Sequence, residues 1–133
     1  MSFKLIIAGG RDFDNRELVR LSLKGYLKEN NIKVSDLTIV SGHGEKWDAN
    51  SKTYELSGAD KLGEDIAIKN NISLLTFPAD WSKYGRAAGP KRNEEMAKVA
   101  NGLLAFWDGE SRGTLSMINN AKKRGLVVKV IQY

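Results

Sequence analysis

Residues 4–8, KLIIA, form a short apolar run that ends abruptly in Gly9-Gly10. A brief run without polar alternation is the pattern of a strand covered on both faces, as in a parallel sheet. The device recurs along the chain. Residues 37–40 are followed by Gly42, residues 72–77 are stopped by Pro78, and further runs occupy 102–107 and 126–131. Between the runs the period changes to that of a helix. Val19, Leu23, Tyr26 and Leu27 repeat at i, i+4, i+7 and i+8, which marks one buried face. Asp14 with Glu17 reads as a capping box ahead of it, and Asn30-Asn31 ends it. Residues 58–69 predict a second helix, with Leu62, Ile66 and Lys69 along one side. A third is expected over 90–100, burying Met96, Val99 and Ala100. Ser111 caps a fourth that uses Leu115, Ile118 and Ala121 and stops at Gly125.

Strands alternating with helices predict an α/β three-layer sandwich around a parallel sheet of about five strands. With the order 3-2-1-4-5, a ligand crevice opens beyond the C-terminal ends of the first and fourth strands, where the order reverses. The loops meeting there are residues 9–13 and 107–113. The 133 residues fit a single domain able to bury its own core, and no repeat or linker composition divides them. Only residues 43–57 break the pattern. They are polar and aperiodic, with Trp47 and Tyr54 as the only aromatics, and predict a long loop with a small hairpin.

There is no cysteine, which excludes disulfides and thiolate metal sites. The first apolar run is too short for a signal-peptide core or a membrane span, so a cytoplasmic protein without membrane contact is expected. The net charge of +5 could favour anionic partners, including nucleic acid. However, the basic residues are dispersed. The one basic run, Lys122-Lys123-Arg124, falls at a helix C-terminus, where cations suit the dipole.

Three stretches carry chemistry. Gly9-Gly10-Arg11-Asp12 follows the first strand, and its glycines let backbone N–H groups approach a phosphate or ribose; as pure structure it is a tight turn with Arg11 solvated. The spacing is neither GxGxxG nor a Walker loop. After the fourth strand, Asp108-Gly109 and Ser111-Arg112-Gly113-Thr114 offer a carboxylate for ribose hydroxyls and donors at a helix start, or else a turn and an N-cap. Residues 81–96, WSKYGRAAGPKRNEEM, place Gly89-Pro90 at an expected helix start with Lys91 and Arg92 in its first turn. Cations there oppose the dipole unless an anion lies between. His43, the sole histidine, reads as a loop contact. With no acidic pair at ligand spacing nearby, no metal site is expected.

In combination these motifs resemble the YspA-related branch of the SLOG superfamily, Rossmann-like domains that bind nucleotides or nucleotide-derived ligands. The resemblance is carried by Gly9-Gly10-Arg11-Asp12-Phe13, Ser41-Gly42, Gly58-Ala59-Asp60 and Tyr84-Gly85-Arg86. It continues through Gly89-Pro90, Arg92-Asn93 and Met96, then Trp107-Asp108-Gly109 and Ser111-Arg112-Gly113-Thr114. It implies a Rossmann-like sandwich holding a nucleotide at the sheet edge, without a cofactor, in a homo-oligomer. On that reading Arg11, the glycine N–H groups, Arg92 and Thr114 hold phosphate. Asp108 holds ribose, and Trp81 or Tyr84 stacks on the base.

The superfamily also includes phosphoribohydrolases of the Lonely Guy type, whose loop resembles Pro-Gly-Gly-x-Gly-Thr followed closely by glutamate. Here Gly113-Thr114 is followed by Leu115, Ser116 and Met117. Without that carboxylate, a binding module is expected. The alternative is a nucleotide N-glycosidase with Arg92, Glu94 or Asp108 as candidate catalytic groups. The chain departs again between Ser41-Gly42 and Gly58-Ala59-Asp60, where about a dozen residues, within 44–57, replace a short turn. They suit a lid over a base, an oligomer contact or a variable surface excursion.

Overall fold

In the computed structural model, which describes residues 2–133, the apolar runs become the parallel strands β1 (Phe3–Gly9), β2 (Leu37–Ser41), β5 (Ser73–Thr76), β6 (Gly102–Trp107) and β7 (Val127–Gln132). They form one sheet in the order β5-β2-β1-β6-β7, which is the expected 3-2-1-4-5 arrangement. The register places Leu5 beside Ile39 and Gly102, and Ile6 beside Val40 and Leu103.

The side-chain period of two sorts the core into two layers. Leu5, Ile7, Ile39, Leu104 and Phe106 face α1 (Arg16–Glu29) and α2 (Gly58–Lys69), meeting Val19, Leu23, Tyr26, Leu27, Leu62 and Ala67. Ile6, Ala8, Val40, Leu103 and Ala105 face α4 (Ala88–Val99) and α5 (Arg112–Lys123), meeting Met96, Ala97, Met117, Ile118 and Ala121. The result is a Rossmann-like three-layer sandwich. No helix among the described residues is long and apolar enough to cross a membrane.

Several local expectations are corrected. Asn15, not Asp14, caps α1, its side chain accepting from the Leu18 N–H at 3.0 Å. The segment before α4, which shows no helical periodicity in the sequence, nevertheless holds a single helical turn, α3 (Trp81–Tyr84), and a 3-10 turn, Gly85–Ala87. The helix then starts at Ala88, two residues before Pro90, so Lys91 and Arg92 lie beyond its first three residues. The two cations are therefore not placed at the very start of the helix, where they would oppose its dipole. Val99 and Leu115 are exposed, and Ala97 and Met117 take the buried places beside Met96 and Ile118.

Residues 43–57 do contain a hairpin, β3 (Glu45–Asp48) paired antiparallel with β4 (Thr53–Leu56). Its base is closed by the Ser57 N–H donating to the Gly44 carbonyl at 3.0 Å, and Trp47 faces Tyr54 across the ladder.

Candidate functional site

β1 and β6 pair along their length, yet the chains leaving them diverge, because their crossovers run to opposite sides of the sheet. Beyond their C-terminal ends lies a cleft of about 590 Å³, inside the roughly 300–1,000 Å³ range of small-molecule sites. Its floor includes Gly9 and Gly10. One wall carries Trp81, Gly89, Arg92 and Asn93, another Asp108, Ser111, Arg112, Gly113 and Thr114, and a third Gly42, Gly44 and Asp60.

The glycines hold these walls close. A Cβ on Gly9 would lie 2.6 Å from the Phe106 carbonyl oxygen, and one on Gly42 would lie 2.7 Å from Arg92 Nη1. Arg92 rises from α4 and crosses to the end of β2. Its Nη1 donates to the Gly42 carbonyl at 2.5 Å and its Nε to Asn93 Oδ1 at 3.0 Å, which leaves Nη2 available to a ligand. Asn93 is buried and also donates to the Gly113 carbonyl at 3.4 Å, tying α4 to the start of α5.

Opposite the guanidinium sits Asp60, in the first turn of α2, whose Oδ2 accepts from the Gly44 N–H at 2.7 Å. Burial pushes the Asp60 carboxyl up from its ordinary value, against the Gly44 hydrogen bond and the charge of Arg92. Burial likewise pulls Arg92 down, opposed by Asp60 and reinforced by Arg11. A guanidinium stays charged under such a shift, whereas a carboxyl moves toward the neutral form.

At α5 the capping arrangement is local. Ser111 Oγ accepts from the Thr114 N–H at 3.4 Å and lies 3.1 Å from Thr114 Oγ1. Asp108 Oδ1 accepts from the N–H groups of Glu110 and Ser111, both at 2.8 Å, and these bonds hold its pKa down. Asp108 therefore enters the cleft as an ionised side chain with one oxygen committed to its own loop. The N–H groups of Arg112 and Gly113, at the first two helical positions, have no helical acceptor, and both residues line the cleft.

Of the residues expected at the site, Gly9, Gly10, Arg11, Asp12, Gly42, Asp60, Gly89, Arg92, Asn93, Asp108, Ser111, Arg112, Gly113 and Thr114 line the cleft. Trp81 does too, and Arg11 lies over its ring at 5.9 Å. Gly109 and Ser41 lie outside the lining. Ser41 is buried behind it, its Oγ donating to Glu64 Oε2 at 2.8 Å.

Tyr84 and Arg86 are not brought to the cleft. The single turn of α3 carries Tyr84 away, and the lysines at 83 and 91 cover its ring at 5.0 and 4.8 Å. Glu94 points outward and pairs with Lys98 at 3.8 Å, which removes it as a carboxylate for chemistry in the cleft. His43 is a loop contact, with Nδ1 2.8 Å from Glu64 Oε2.

Tyr133 and Gly44 were not expected. Tyr133 packs on Phe13, ring centroids 4.5 Å apart, and its hydroxyl reaches the space above Gly10. Nothing in its local sequence signals this, because the register of β7 alone delivers it. Glu64 was also missed. It stands four residues after Asp60 on α2, the one visible sign that both carboxylates share a flank. Among the described residues no group of three or more His, Cys, Asp or Glu could hold a metal ion. No protein-family model, curated protein or solved structure matches this chain.

Proposed function

We propose that the chain binds a nucleotide or nucleotide-derived molecule in the cleft between β1 and β6, as a sensing, sequestering or regulatory module. One observation carries the reading. Arg92, the free N–H groups at the start of α5, and the close-approach glycines of β1 converge on one volume at the reversal of strand order. A phosphate there meets Arg92 Nη2 and the Arg112 and Gly113 N–H groups. The Asp108 carboxylate accepts from ribose hydroxyls, and Trp81 supplies a ring face for the base. The resemblance to the SLOG superfamily supports the same assignment. Three arginines and three aspartates line the cleft, which suits a zwitterionic network around a small ligand better than the cationic track a nucleic acid backbone needs.

The test is a calorimetric titration of the protein with a nucleotide panel, repeated on Arg92→Ala. Saturable binding that weakens at least tenfold in the variant is expected, from the loss of a charge-assisted contact. No saturable binding to any member overturns the proposal.

A second reading, nucleotide N-glycosidase, draws support from Asp60. Its carboxyl is pushed toward the neutral form inside the cleft, as a general acid requires, in a chain that lacks the hydrolases' glutamate. Release of free base from nucleoside monophosphates, abolished by Asp60→Asn, would make the protein an enzyme.

A further inference from the structure

The β3–β4 hairpin does not stand clear of the cleft. Its base is fixed from both sides, by the Gly44 N–H on Asp60 and by the Ser57 N–H on the Gly44 carbonyl. Lys46 on β3 also pairs with Asp12 of the loop after β1. Thus anchored, the hairpin encloses a second cleft of about 520 Å³ between its own face and α3, lined by Arg11, Glu45, Tyr54 and Trp81. Arg11 and Trp81 line the first cleft as well, so the two volumes meet at those side chains.

The chemistry changes across the junction. The first cleft offers Arg92 and backbone N–H groups to phosphate. The second adds the exposed ring of Tyr54 and one carboxylate, Glu45, beside Trp81, which the two clefts share. Tyr54 is held upright by an edge-on contact with Trp47, centroids 5.2 Å apart at 66°, so it is positioned without being buried. An exposed aromatic ring beside a carboxylate takes a flat heterocycle with an N–H edge, stacked on Tyr54 and donating to Glu45. The guanidinium of Arg11, 5.9 Å from the Trp81 ring, stands where a bridging phosphate passes from one volume to the other.

We infer that the hairpin builds a second ring-binding subsite, and that the ligand is two-ended: two heterocycle-bearing nucleosides joined through phosphates. The inference rests on the nucleotide-binding reading and adds the ligand's size and the side chains that select it. Tyr54 and Glu45 belong to specificity, while Arg92 and the glycine loops belong to phosphate affinity.

The experiment compares the affinities of adenosine monophosphate, di(adenosine-5′) diphosphate and inorganic pyrophosphate for the wild-type chain and for Tyr54→Ala and Glu45→Gln. Binding is followed by calorimetry and by quenching of tryptophan fluorescence. Tyr54 is exposed on a hairpin outside the core, and circular dichroism checks that its removal leaves the fold intact. The dinucleoside is expected to bind wild type roughly 10- to 100-fold more tightly than the monophosphate, the value of one further stacked base. Tyr54→Ala should remove most of that advantage and leave the monophosphate and pyrophosphate affinities in place. Equal affinity for the two nucleotides in wild type, or equal losses of both in Tyr54→Ala, overturns the second subsite and leaves nucleotide binding standing. Failure of all three ligands to bind wild type removes the nucleotide reading itself.

Discussion

Replacing Gly42 with alanine tests whether Arg92 acts from a position that the sheet edge dictates. Gly42 is not in the left-handed region, so alanine fits its backbone. The added methyl instead lands 2.7 Å from Arg92 Nη1, 3.0 Å from Cζ and 3.1 Å from Cδ. The end of an arginine is usually free to yield, but this one is held at Nη1 by the Gly42 carbonyl and at Nε by Asn93. Relief of the overlap breaks the first of these bonds and moves the guanidinium off the cleft wall. A hydrogen bond to a charged group is worth about 1.5–3 kcal/mol, so the melting temperature should fall by roughly 5–12 °C for a chain of this size. A phosphate held by the displaced Nη2 should lose a similar amount, about 10- to 150-fold in affinity. The assay is a double-mutant cycle with Arg92→Ala, read by titration with the tightest-binding nucleotide and by thermal melts. If Gly42 acts through Arg92, Gly42→Ala adds nothing to the affinity already lost in Arg92→Ala. Additive losses, or wild-type affinity in Gly42→Ala, would refute the coupling.

Two further outcomes follow from the same walls. Gly58 has φ +66°, and a Cβ there would lie 2.2 Å from the Gly10 carbonyl oxygen, which also accepts from Phe13 and Ala59. Gly58→Ala should cost about 1–2 kcal/mol for the backbone and about 1–3 kcal/mol for the overlap, seen as a lower urea midpoint; an unchanged midpoint contradicts the geometry. The folded-state pKa of Asp60 lies above its unfolded value, so its contribution to stability is complete below the ordinary carboxylate pKa and fades as pH rises through the raised value. Urea unfolding across that window should show Asp60→Asn gaining on wild type toward neutrality, because the amide keeps an acceptor for the Gly44 N–H without a buried charge. A stability difference independent of pH would sink this account.

Most of the scaffold was legible because its signals are local and redundant. Four of the five parallel strands are apolar runs closed by a glycine or proline, and the order 3-2-1-4-5 is one of those that right-handed crossovers with a single reversal allow. What escaped has identifiable causes. Asp14 and Asn15 are both competent caps, and only the path out of β1 selects the second. Pro90 was placed at the first helical position, but its missing N–H is equally harmless at the third, where no helical acceptor exists either. A four-residue helix such as α3 is too short to display a period.

The phase errors on α4 and α5 share one origin, and it bears on function. The buried stripe of α5 is Thr114, Met117, Ile118 and Ala121, spaced i, i+3, i+4 and i+7. That of α4 is Gly89, Asn93, Met96 and Ala97. In each, a polar residue stands where a search for apolar spacing finds nothing, so the apparent stripe shifted to Leu115 and Val99. The residues that hid the stripe are those at the cleft. Among the described residues the buried polar side chains are Ser41, Glu64, Asn93 and Thr114. Asn93 and Thr114 line the cleft, and the other two lie behind Gly42 and His43. Burying such groups costs about 1–3 kcal/mol each unless they are paired. Here each one is paired: Ser41 with Glu64, Glu64 with His43, Asn93 with Arg92 and Gly113, and Thr114 with Ser111. A core assembled only for stability would place apolar residues at those four positions. Concentrating satisfied polar groups behind one cleft instead fixes the Gly42 carbonyl, the Arg92 guanidinium and the start of α5 before any ligand arrives. For the proposed phosphate-bearing ligand, the cost of ordering these groups would then be met in folding rather than in binding.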